Sequence, residues 1–93
     1  MNRNQILHTI VRQLKKEGAR KIGMFGSYAR RTSKAGSDID LLVAFSKRKS
    51  LLELVRIERE LSEKTGKKID LLTEHSISPL IRDTVKRDLE ELA

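Results

Sequence analysis

The stretch Ser37-Asp38-Ile39-Asp40-Leu41-Leu42-Val43-Ala44-Phe45 decides how the rest of the chain is read. From Asp38 to Phe45 it is rich in branched apolar residues, the composition of a buried β-strand. Side chains alternate across a strand, so Asp38 and Asp40 share one face with Leu42 beyond them, and Ile39, Leu41 and Val43 share the other. One face is suited to a core; the other gathers two carboxylates. Residues two apart on a strand are separated by ~6.6 Å along the backbone. At that distance two carboxylates repel by about 2.5 kcal/mol at an effective dielectric of about 20, and by under ~1 kcal/mol in open water. The pair is cheap if exposed and costly in a cleft unless cations bridge it. Hard divalent cations such as Mg²⁺ take this kind of oxygen site and keep positions open for water and phosphate oxygens. The plainer reading is a polar strand start, with Ser37 and Asp38 in a turn and Asp40 simply exposed.

Working upstream, Lys21-Ile22-Gly23-Met24-Phe25 reads as a short buried strand ending at Gly26. Ser27 then opens a helical turn, Tyr28 to Arg31, followed by a polar loop from Thr32 to Ser37 hinged at Gly36. Glycine at a strand end lets the backbone approach a ligand closely, and the following turn presents free amides. With the Ser27 hydroxyl, those amides suit the β- and γ-phosphates of a nucleoside triphosphate. An ordinary strand-to-helix turn with Ser27 as N-cap uses the same residues. Arg30 and Arg31 either grip phosphate bidentately or form a solvated basic face. Before this unit, Ile6, Ile10 and Leu14, widened by Leu7 and Val11, predict a first helix over Arg3 to Lys16, stopped by Gly18. His8 falls on its solvent side, and Tyr28, the one tyrosine, is expected to pack the short turn against the sheet.

Downstream, Lys47-Arg48-Lys49 is a basic turn and Ser50-Leu51-Leu52-Glu53 matches a capping box. The helix it starts runs to about Thr65, with Leu51, Leu54, Val55, Glu58 and Leu61 on one side; Glu58 alone among them is polar. Gly66 stands where a helix C-cap belongs. Lys68-Ile69-Asp70-Leu71-Leu72 reads as a third strand, with Asp70 on the face opposite Ile69 and Leu71. If that strand neighbours the first stretch, Asp70 completes a three-carboxylate site. Two metals ~3.5–4 Å apart in such a site clamp the attacking and leaving oxygens of a displacement at phosphorus. A salt bridge from Asp70 to Lys67 or Lys68 is the ordinary alternative. Ser78-Pro79 reads as the start of a last helix with Ile81, Val85, Leu89 and Leu92 on its apolar side, and His75 as a polar loop residue. The order αβ(α)βαβα predicts an α/β (α+β) domain with a small three-stranded sheet flanked by helices.

The 93 residues suit one domain, 1–93, with no room for a second core. No cysteine is present, which excludes disulfides and thiolate zinc sites, and two histidines are too few for a histidine metal cluster. No apolar run approaches the ~18 residues of a membrane span, and the first residues lack a signal-peptide core. A cytoplasmic protein without membrane contact is expected. The net charge of +7 favours polyanions without choosing among them. Nucleic acid stays open as an acceptor but is not favoured, because Lys47-Arg48-Lys49 and scattered lysines come without stacking aromatics.

Gly26-Ser27, ten intervening residues and then Asp38-Ile39-Asp40-Leu41-Leu42-Val43 resembles the signature of the DNA polymerase β-like nucleotidyltransferase superfamily. Phe25-Gly26-Ser27-Tyr28-Ala29-Arg30, Ser37 to Val43, and Lys68 to Leu72 look more closely like the minimal nucleotidyltransferases, small members often paired with a HEPN-domain protein in toxin–antitoxin modules. The resemblance implies a nucleotidyltransferase fold with a mixed sheet. It implies that Asp38 and Asp40 hold two Mg²⁺ ions, and that Asp70 binds the catalytic ion and helps deprotonate the acceptor. It also implies that Gly26 and Ser27, with Arg30 and Ser37 beside them, bind the nucleotide. The implied reaction moves AMP from ATP to a tyrosine of the HEPN toxin, releases pyrophosphate and silences the toxin. Arg31 stands where such proteins commonly carry Gly, changing the flexibility and charge of the loop before the metal pair. Larger superfamily members add a second domain for the acceptor, so an acceptor site supplied by a partner, in a hetero-oligomer or a homodimer, is expected here. The competing expectation is a nucleotide-binding antitoxin or adaptor of weak or silent chemistry that acts by docking.

Overall fold

The computed structural model describes residues 1–29, 38–74, 77–80 and 82–93, without the side chain of Ser27. The stretch around Asp40 forms β2 (Ile39–Phe45), an interior strand of the sheet. It pairs antiparallel with β1 (Ala19–Phe25) and parallel with β3 (Ile69–Thr73), so the sheet is mixed, as expected. β1 begins two residues earlier than Lys21, across a register irregularity between Ala19 and Lys21.

Alternation sets the two faces. Ile39, Leu41 and Val43 of β2 are fully buried with Ile22 and Met24 of β1 and Ile69 and Leu71 of β3. Against them pack Ile6, Ile10 and Leu14 of α1 (Arg3–Lys16) and Ile57 and Leu61 of α3 (Leu51–Thr65). α1 is capped by Asn2, whose side chain accepts the Gln5 N–H while the Gln5 side chain accepts the Asn2 N–H. α3 carries the expected capping box between Ser50 and Glu53, and Gly66 ends it at φ 69°, a left-handed conformation open to glycine at little cost. The stripe of α3 differs from the sequence reading: Leu51 and Val55 are 75% and 53% exposed, and the buried line runs through Ile57, Leu61 and Thr65. Of the apolar residues at the start of α3, Leu51, Leu52 and Val55 meet solvent, while Leu54 packs against the core.

The chain end also departs from expectation. Ser78-Pro79 does not start a helix; Ser78 Oγ accepts the Leu80 N–H at 3.3 Å in a turn, and α4 runs only from Arg82 to Asp88. Leu89 and Leu92 leave the helix. Glu90–Glu91 form a fourth strand, β4, paired antiparallel with Gly23 and Met24 of β1, giving the order β3-β2-β1-β4 rather than three strands. The free edge of β1 supplies the reason: Ile22 donates to Ala93 O at 3.1 Å and its own carbonyl accepts from Leu92 at 2.8 Å. Tertiary pairing here overrides a helical apolar period. Leu89 fills the space above Gly23, where a Cβ would strike its side chain. No described helix is long and apolar enough to cross a membrane.

Candidate active site

The end of β1 and the starts of β2 and β3 meet at one corner of the sheet, on the face away from α1 and α3. Phe25 is the register partner of Asp40, and Asp40 is the register partner of Asp70. Neighbouring strands lie ~4.8 Å apart, and residues side by side point to the same face. The expectation that Asp70 stands beside the Asp38–Asp40 strand is therefore met in the backbone. Asp40 and Asp70 are both half-buried, each between fully or largely buried neighbours on its own strand. Asp38 stands just before β2, its side chain 38% exposed, within 3.8 Å of Lys68 Nζ. Lys68 thus forms its ion pair with Asp38 instead of with Asp70.

Gly26 completes the corner. Its φ is 75°, and a Cβ built on it would overlap Asp40 Oδ2 and approach Asp40 Cγ to 3.3 Å. The absent side chain lets the backbone of α2 (Gly26–Ala29) start directly against a carboxylate. Tyr28 packs as expected: it is 7% exposed, and the Arg3 guanidinium lies 4.7 Å from its ring centroid and donates to Tyr28 O at 2.9 Å. His8 is exposed on α1. Arg30, Arg31, Ser37 and His75 lie outside the described residues, as does the side chain of Ser27.

Among the described residues no group of three Asp, Glu, His or Cys side chains is closed tightly enough to hold a metal ion as it stands. Asp38 turns toward Lys68, and carboxylates this near repel one another. The donors are nonetheless all carboxylate oxygens on one sheet face, the chemistry that hard divalent cations select.

A cleft of about 320 Å³ lies between Leu42, Ile77 and Val85, with Glu74, Arg82 and Lys86 at its walls; none of the three carboxylates lines it. A larger cavity of about 520 Å³, beside Arg20, Phe45, Lys47 and Arg48, opens at the opposite end of the strands and touches none of the three carboxylates.

Two features of the site were not anticipated from sequence. Two outward N–H groups of β3 are taken by α3: Leu71 donates to Glu58 Oε2 at 2.8 Å and Ile69 donates to Ser62 Oγ at 3.1 Å. The sequence signal was Glu58 itself, a polar residue in an apolar line. The Lys68–Asp38 pair had no local signal, since it joins two strands.

The profile of the nucleotidyltransferase domain family matches residues 5–92. The chain belongs to that family. This nucleotidyltransferase is 49% identical over 85 residues to a Methanocaldococcus jannaschii protein named as a protein adenylyltransferase, covering 91% of each chain. It is 40% identical over 72 residues to the protein adenylyltransferase MntA of Thermococcus cleftensis, covering 77% of this chain and 73% of that one. A solved minimal nucleotidyltransferase superposes with a TM-score of 0.80 at 30% identity, covering 94% of this chain and 89% of the other. The MNT antitoxin fold recurs in the Shewanella oneidensis complex with a tri-AMPylated HEPN toxin, with a TM-score of 0.79 at 20% identity, covering 97% and 71%.

Proposed function

We propose that this nucleotidyltransferase moves AMP from ATP onto a hydroxyl of a partner protein, a HEPN-type toxin that it thereby silences. The observation that supports the reading best is the corner itself: Asp40 level with Asp70 on parallel strands, with side-chain-free Gly26 against the Asp40 carboxylate. Relatives named as protein adenylyltransferases support the choice of reaction and acceptor.

In this reading Asp38, Asp40 and Asp70 would hold two Mg²⁺ ions, which would supply charge neutralisation at the phosphates and activation of the acceptor hydroxyl. Asp38, 3.8 Å from Lys68 Nζ, would give up that ammonium to face a bound cation. Gly26 and Ser27, with Arg30 and Ser37, bind and orient the triphosphate. Asp70 takes the proton of the acceptor hydroxyl as its oxygen bonds to the α-phosphorus. The bond from that phosphorus to the α–β bridging oxygen breaks, and pyrophosphate leaves.

Incubation with Mg²⁺, the partner and ATP labelled at the α-phosphate tests this. Label is expected on the partner from α-labelled and not from γ-labelled ATP. Transfer of the γ-label, or no transfer from a protein that binds Mg–ATP, would sink the reading.

A docking role without chemistry is the second reading. Leu51, Leu52 and Val55 are exposed together on α3, an apolar surface that could hold a partner with no nucleotide involved.

A further inference from the structure

We propose that Glu58 and Ser62 of α3 are positioning residues for Asp70. The inference rests on the reading of Asp70 as metal ligand and proton acceptor, and concerns what holds that carboxylate in place.

β3 is a strand of five residues that, among the described residues, pairs on one side only, with β2. Its outward N–H groups would ordinarily face water or invite another strand. Here both N–H groups flanking Asp70 in sequence are tied to a single helix. Leu71 N–H donates to Glu58 Oε2 at 2.8 Å, and Ile69 N–H donates to Ser62 Oγ at 3.1 Å. Ser62 Oγ in turn donates to the Glu58 carbonyl at 2.9 Å, so the two ties form one connected network. The Asp70 backbone is gripped on its outer side by these bonds and on its inner side by β2.

Edge protection alone does not explain the choice of residues. A half-buried glutamate next to buried Ile57 and one turn before buried Leu61 is a costly way to satisfy one backbone N–H, and Glu58 forms no ion pair among the described residues. What the carboxylate adds is a short, charge-assisted bond, stronger than one to a neutral acceptor. It falls at the residue after Asp70, where a slip of the edge strand would carry the Asp70 carboxylate away from Asp40. Residues that orient a metal ligand through a second contact matter at the level of 10–100-fold in affinity or activity, by general experience with metal sites.

The test compares Glu58→Leu, which keeps bulk and removes the acceptor, with Glu58→Gln, which keeps an acceptor oxygen. Ser62→Ala serves as a milder second variant should Glu58→Leu not fold. Each is measured as full-length protein for circular dichroism, Leu71 amide exchange by NMR, Mn²⁺ affinity in the presence of a non-hydrolysable ATP analogue, and kcat and KM for ATP. The expectation for Glu58→Leu, or for Ser62→Ala to a lesser degree, is a folded protein with faster exchange at β3. Mn²⁺ binding should be at least about tenfold weaker and kcat lower by a similar factor, with the KM for ATP little changed. Glu58→Gln should recover most of each loss. Normal Mn²⁺ affinity and kcat in folded variants with a loosened Leu71 amide would overturn the proposal, as would a Glu58→Gln variant as defective as Glu58→Leu. Asp70→Asn run in parallel separates the two levels. If it is defective while Glu58→Leu is normal, only the positioning role fails; if Asp70→Asn is itself normal, the reading of Asp70 fails and takes this inference with it.

Discussion

Gly26 begins α2 so close to Asp40 that a methyl group on it would overlap the Asp40 carboxylate. The contact joins the turn proposed to bind phosphate to the strand proposed to hold metal, without any intervening side chain. Gly26 is also at φ 75°, where an L-residue costs ~1–2 kcal/mol. Gly26→Ala should therefore lose stability by about that amount and, because it displaces the carboxylate, lose transfer activity on the order of 100-fold. Thermal melting and initial rates check both. A variant that is destabilised yet fully active would show that the close approach is only a packing feature.

The Lys68–Asp38 pair places a cation where the account places metal. An exposed pair of this kind contributes ~0.2–1 kcal/mol. Lys68→Met should accordingly lower the Mg²⁺ concentration for half-maximal transfer, by at most about fivefold. A titration of rate against Mg²⁺ reads this directly, and a midpoint shifted upward would assign Lys68 to nucleotide binding instead.

A second prediction from charge concerns acid. Glu17, at the C-cap of α1, accepts both guanidinium nitrogens of Arg56 at 3.1 Å and lies 3.8 Å from Lys49. The Arg56 hydrogen bonds hold its carboxyl below the ordinary value, outweighing burial, with Lys49 adding to the effect. A lowered folded-state pKa gives stability that is present above the unfolded value of ~4.3 and is lost as pH falls through the folded one. Glu17→Gln should melt below wild type at neutral pH, and the two curves should converge as pH drops below ~4. A gap that widens on acidification would contradict the assignment.

Packing gives a plainer prediction. Ile57 is wholly buried in α3 against the sheet, whereas Leu51 is 75% exposed. Ile57→Ala should cost ~2–5 kcal/mol, and Leu51→Ala should lie within ~0.5 kcal/mol of wild type in the isolated chain. Urea unfolding distinguishes them.

Much of this architecture was legible where physics is local. The Asn2-independent stripe Ile6-Ile10-Leu14 marks α1 from Arg3 to Lys16, the Ser50–Glu53 box marks the start of α3 and Gly66 its end, and alternation separates Asp40 from Ile39 and Leu41. The C-terminal segment was misread because Leu89 and Leu92 keep a helical spacing, while their places are set by Gly23 and by the unpaired edge of Ile22, far away in sequence. Leu51 and Val55 were assigned to the core for a similar reason: periodicity gives a helix face but not how far the sheet extends beneath it. At the site, the sequence leaves Asp70's place conditional on its strand neighbouring that of Asp38 and Asp40, and the register of β2 with β3 sets Asp40 level with Asp70. The turn of Asp38 toward Lys68 and the tie from Glu58 to Leu71 depend on register between elements, which no single stretch encodes.

In the proposed reading the carboxylate corner carries catalytic transfer. The intact mass of the HEPN-type partner, co-expressed with this chain or with its Asp38→Asn/Asp40→Asn variant, tests it most directly. The partner should gain the mass of one or more AMP groups with the wild-type chain, and should gain none and escape silencing with the variant. A partner left unmodified by the wild-type chain, yet silenced equally by both, would contradict transfer and establish docking in its place.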